Sequence, residues 1–123
     1  MKVTIEYGQL THEKSRAAKM RPELRAESWK IVKGGAFNLE KGVKFRMPVD
    51  TGHARANWGH GPAGVWDEDE AALQIVEGTT VVYVPRLNEG SSRQAPAGFI
   101  DAEALKVEVE INAAIDRLLG ETL

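Results

Sequence analysis

The sequence predicts an α+β fold, a small antiparallel sheet packed against a long helix in the N-terminal half and a C-terminal amphipathic helix. Three observations carry this expectation. Val3, Ile5 and Tyr7 alternate with Lys2, Thr4 and Glu6, the period of a half-buried strand. Two segments, 21–45 and 100–118, space their apolar residues by three and four, as a helix with one buried face does. Between them lie two β-branched runs, 73–77 and 79–84. At 123 residues the chain has the size of one domain, 1–123, with one core.

Taken in order, residues 1–10 form an N-terminal strand or arm released by Gly8. Pro22 suits the first turn of a helix and Glu23 suits its positive end. The helix runs from about Arg21 to Phe45, with Leu24, Ile31, Val32, Leu39 and Val43 on its apolar stripe. Gly34 and Gly35 interrupt it, which predicts a kink or a very close packing partner. Met47-Pro48 stops it, because proline disfavours helical geometry in the residue before it. Asp50, Thr51 and Gly52 have turn chemistry, with Gly52 free to take positive φ. Residues 54–58 are a strand candidate, Gly59 to Gly64 a flexible connection, and Asp67 to Glu70 a solvated tip. Gly78 splits the two β-branched runs into an expected hairpin, and residues 83–89 hold one helical turn. After a small-residue loop, 90–98, the stripe Ile100, Ala104, Val107, Ile111, Ala114, Ile115 and Leu118 defines the last helix, closed by Gly120.

No stretch approaches the ~18 apolar residues that span a bilayer, and the N-terminus lacks the apolar core of a signal peptide. The absence of cysteine removes disulfides, thiolate catalysis and cysteine-held zinc, and fits assembly in the cytoplasm. Net charge is −2, yet residues 1–60 hold twelve Lys or Arg against six Asp or Glu, and the remainder four against twelve. Such segregation fits a basic surface for nucleic acid, opposite faces that meet in self-assembly, or simply two differently solvated helices.

Catalytic patterns are weak. His53 and His60 flank the expected strand 54–58 and would face opposite ways, which argues against a shared metal site. Ser91 and Ser92 lack the glycine-framed elbow of a nucleophilic serine. Asp50 and Glu77 have the residue types of a magnesium nuclease, but no lysine occurs between Lys44 and Lys106. There is neither a phosphate-binding glycine loop nor a dinucleotide fingerprint. The expectation is no enzyme, no cofactor and no metal. Lys14, Arg16, Lys19, Arg21 and Arg25 cluster along 14–25 and are the candidates for contact with DNA or a partner.

Two blocks add a resemblance. The first is Pro48, Val49, Asp50, Thr51 and Gly52, followed by Arg55, Asn57 and Trp58. The second is Tyr83, Arg86, Leu87, Glu89, Gly90, Ser92, and then Gln94, Ala95, Pro96, Ala97 and Gly98. Together, over about residues 22–119, they resemble the tail-completion (neck) proteins of long-tailed bacteriophages, the minor tail protein Z type. Asn88, His53 and the start of the last helix, 99–101, depart from that pattern.

The resemblance implies a structural virion protein of the tail or neck, without catalysis, that completes the tail and joins it to the head. It implies a ring of identical subunits, with a hexamer among the candidate sizes. Its neighbours would be a tail-tube or tail-terminator protein and a head-completion or connector protein, with non-specific contact to phage DNA as a further option and no membrane. The alternatives are a terminator ring that stops tube polymerisation, or a DNA-contacting module using residues 14–25. The block residues are expected to serve structure and assembly: Asp50 and Thr51 close a turn, Arg55 pairs with a carboxylate such as Glu89, and Trp58 packs under the helices.

Overall fold

The computed structural model describes residues 1–7, 20–48, 52–90 and 95–122. Within them the elements are β1 (Lys2–Glu6), α1 (Pro22–Arg46), α2 (His53–Ala56), β2 (Gly64–Asp69), β3 (Gln74–Thr79), α3 (Val84–Asn88) and α4 (Phe99–Thr122). The expected α+β class holds. The three strands form one antiparallel sheet in the order β1-β3-β2, with Ile5 opposite Ile75 and Trp66 opposite Glu77.

Alternation along β3 decides which side of the sheet is covered. Ile75, Glu77 and Thr79 are buried, and with Ile5 of β1 they face the two long helices. Those helices lie against each other along most of their length. Gly35 explains how closely: a Cβ there would collide with the Ile111 side chain and press on Val107. The glycine pair marks a close packing partner, as one of the two sequence readings expected. Gly34, one residue earlier, is exposed with nothing near it. Val32, Ala36, Leu39 and Val43 of α1 and Ile100, Val107, Ile111 and Ile115 of α4 then complete one hydrophobic core that also holds the fully buried Trp58.

Several expected boundaries move. Residues 54–58 are not a strand: Gly52 at φ 78 turns the chain, Ala56 N–H bonds Gly52 O, and the Asn57 amide bonds back to His53 O, closing the short helix α2. Gly59 to Gly64 is not a loose connection, since Gly59 N–H bonds Gly78 O and Gly64 N–H bonds Gly61 O. The acidic run is exposed as expected, but Asp67, Glu68 and Asp69 belong to the edge strand β2, where charge guards an unpaired edge.

The hairpin turn is therefore at 70–73, between β2 and β3, and not at Gly78, which lies inside β3 with the Met1 backbone too close for any side chain. Leu73 takes φ 50 there while fully buried, so its packing offsets a left-handed cost of about 1–2 kcal/mol. The run 79–84 leaves the sheet after Thr79, whose hydroxyl accepts the Val81 N–H at 3.1 Å. The helical turn expected at 83–89 is present as α3. The last helix continues past Gly120 to Thr122, because a glycine near a helix end costs only about 1 kcal/mol.

Candidate functional site

The site begins at the C-terminus of α1. Met47 is the cap residue, in extended geometry (φ −62, ψ 126) as Pro48 demands, and its N–H bonds Val43 O at 2.9 Å. The last carbonyls of a helix lack partners inside it. Arg55 supplies one from α2: its Nη2 donates to Phe45 O at 3.3 Å and to Met47 O at 3.4 Å. The expected ion pair with Glu89 does not form. Glu89 is exposed at the end of α3, and Arg55 instead ties α2 to the end of α1.

Beside this joint lies an open cleft of about 290 Å³, lined by Phe45, Arg46, Pro48, Arg55, Ala95 and Pro96, among others. Residues of both sequence blocks, 48–58 and 83–98, thus meet at one surface. A second contact joins the same blocks, because the rings of His53 and Tyr83 lie 6.4 Å apart. Phe45 is 81% exposed at the rim of this cleft. Its neighbour Arg46 makes a short ion pair with Glu103 of α4, which fixes the two long helices at this end.

The second block is held by Asn88. Its Oδ1 accepts the Ile100 N–H at 2.9 Å and its Nδ2 donates to Asp101 at 2.7 Å, so it caps the start of α4 from twelve residues upstream. Gly90 and Gly98 both take positive φ, and Gly98 N–H bonds Asn88 O. Ala95 is buried and Pro96 exposed.

Trp58 is fully buried, and its indole N–H donates to Glu77 Oε1 at 2.9 Å. Glu77 has no exposure, and its Oε2 has no partner. Burial pushes the Glu77 carboxyl up from 4.5 to about 8, so it is largely protonated at neutral pH. Nearby, the rings of Phe37, His60 and Trp66 form a surface cluster, with His60 Nδ1 2.7 Å from Glu40. His53 and His60 flank no strand, and each has contacts of its own. Among the described residues no group of three or more His, Asp or Glu is placed to hold a metal ion.

Of the remaining expected site residues, Asp50, Thr51, Ser92, Lys14, Arg16 and Lys19 lie outside the described residues. Arg21 precedes α1 and is exposed. Arg25 is engaged within the chain: its Nη1 donates to Ala71 O at 2.7 Å and pins the β2–β3 turn. Sequence reasoning missed Phe45, Arg46, Glu103 and Asn88 at this site. An exposed aromatic at the end of an amphipathic stripe was the signal for Phe45. The other three depend on contacts between distant segments.

No helix is long and apolar enough to cross a membrane among the described residues. No family model, curated protein or solved structure matches the chain.

Proposed function

We propose that this chain is a structural virion protein of the bacteriophage head–tail junction, completing the tail and joining it to the head within a ring of identical subunits. One observation carries the reading. The two sequence blocks that resemble tail-completion proteins are separated by 24 intervening positions, 59–82, yet Pro48 and Arg55 line one cleft with Ala95 and Pro96. Their residues act there as joints: Arg55 on helix carbonyls, Gly52 in a turn, and Trp58 as a buried anchor. Such roles stiffen a surface, which lowers the cost of docking a neighbour.

The test is genetic and visual. In a phage lacking this gene, electron microscopy of lysates should show DNA-filled heads and full-length tails that fail to join, with joining restored by the purified protein. Normal virions from the deletion would overturn the reading. Unregulated overlong tails would instead assign the chain to tail termination.

A further inference from the structure

We propose that the chain self-associates head to tail, the acidic β2–β3 tip of one copy seating in the basic cleft around Phe45 of the next. The proposal rests on the oligomeric reading above and names the two surfaces that would meet.

The receiving surface is larger than the joint cleft alone. Phe45 and Arg46 also line a second groove of about 470 Å³ between α1 and α4, together with Lys41, Glu103 and Lys106. Glu103 is engaged by Arg46 within the chain, which leaves the exposed Lys41 and Lys106 flanking a phenyl ring that is 81% exposed. An aromatic anchor rimmed by cations fits a partner that brings carboxylates around a small apolar patch.

The chain carries such a surface. Asp67, Asp69 and Glu70 are exposed around the β2–β3 turn, whose own outer residues, Ala71 and Ala72, are small and exposed. The turn is also pre-formed. Arg25 holds Ala71 O, Asp69 Oδ1 accepts the Ala72 N–H at 3.2 Å, and Leu73 N–H bonds Glu70 O at 3.0 Å. Little ordering is left for binding to impose.

Position within the molecule makes the pairing intermolecular. The acidic tip is pinned to Arg25 near the start of α1, and Phe45 lies at its end. Phe45 is twenty residue steps along the helix from Arg25, about 30 Å at 1.5 Å per residue. Two complementary patches at opposite ends of one rigid helix cannot meet in the same copy. They meet between copies, as a heterologous contact that closes into a ring or extends as a filament.

A reciprocal charge swap tests this. Lys41→Glu with Lys106→Glu makes cleft and tip both acidic; Asp67→Lys with Glu70→Lys makes both basic. All four residues are exposed, so each variant should keep the wild-type melting temperature, and Phe45→Ser provides a third, uncharged disruption. Self-association is measured by light scattering and sedimentation at low salt, in free solution and on purified tail tubes. Each variant alone should lose at least about tenfold in association affinity, and an equimolar mixture of the two charge variants should recover it, because every cleft then faces an opposite tip. Wild-type association left unchanged by all three variants overturns the pairing while the ring reading stands. A wild-type chain that stays monomeric in both settings overturns both. Duplex DNA binding lost only in the Lys41→Glu, Lys106→Glu variant, without self-association, would give the cleft to nucleic acid and overturn the proposal.

Discussion

Trp58 and Glu77 form a buried donor–acceptor pair: the indole N–H reaches Glu77 Oε1 at 2.9 Å, and neither residue has any exposure. It joins the segment after α2 to the middle strand. Because Glu77 Oε2 has no partner, the pair is only half satisfied.

Its removal should be costly from one side only. Trp58→Phe leaves Glu77 without its donor in the interior and should destabilise by about 2 kcal/mol or more from the orphaned carboxyl and lost packing. Combining Trp58→Phe with Glu77→Met should recover part of that loss, since both polar partners are then gone. Denaturant unfolding of the four proteins measures the coupling.

The same carboxyl sets a pH dependence. The folded-state pKa of Glu77 is raised from 4.5 to about 8 by burial, so the folded chain holds a proton that the unfolded chain releases. Stability is therefore full below about pH 4.5 and falls as pH rises towards about 8. Glu108, raised to about 7 by burial and then by its neighbour Glu6, acts with the same sign. Melting temperatures from pH 5 to about pH 9 should decline, and Glu77→Gln should flatten most of that decline. A wild-type stability that rises through this window would contradict the buried neutral carboxyl.

Adjacent glycines should respond oppositely to the same change. Gly35→Ala forces a methyl into Ile111 and should cost about 1–3 kcal/mol. Gly34→Ala meets open space and should stabilise α1 by up to about 1 kcal/mol. Thermal unfolding of the two variants decides it.

Arg55 should matter through helix carbonyls. Arg55→Ala should cost about 1 kcal/mol by uncapping the end of α1, and Glu89→Ala should cost almost nothing. Their effects on stability should add, because no pair joins them. A coupling well above about 0.5 kcal/mol would restore the ion pair between them.

Ile111 lies in the interface of the two long helices with 2% exposure. Ile111→Asp buries an unpaired charge and should leave the chain unfolded by circular dichroism.

How much was legible follows from where each signal lay. Both long helices were readable because Leu24 to Val43 and Ile100 to Leu118 carry apolar stripes at helical spacing, the first despite Gly34 and Gly35, and Met47-Pro48 ends the first by a local steric rule. The hairpin was misplaced because its turn has no glycine: Leu73 takes the left-handed position and is held by burial, which no local pattern reports. Residues 54–58 misled for the opposite reason, since Gly52 and the Asn57 side chain close a helical turn over a pattern that alternates. At the joint, Arg55 was expected to pair with a carboxylate and instead donates to Phe45 O and Met47 O, because helix-end carbonyls are invisible as residue types. Asn88 looked like an interruption and is the cap of α4.

The measurement that reaches the central claim most directly is the mass of the purified protein by light scattering, at low and high salt and with tail tubes added. The account predicts a ring-sized species that weakens with salt, or a monomer that assembles only at tube ends. A strict monomer, indifferent to both salt and tubes, would contradict it.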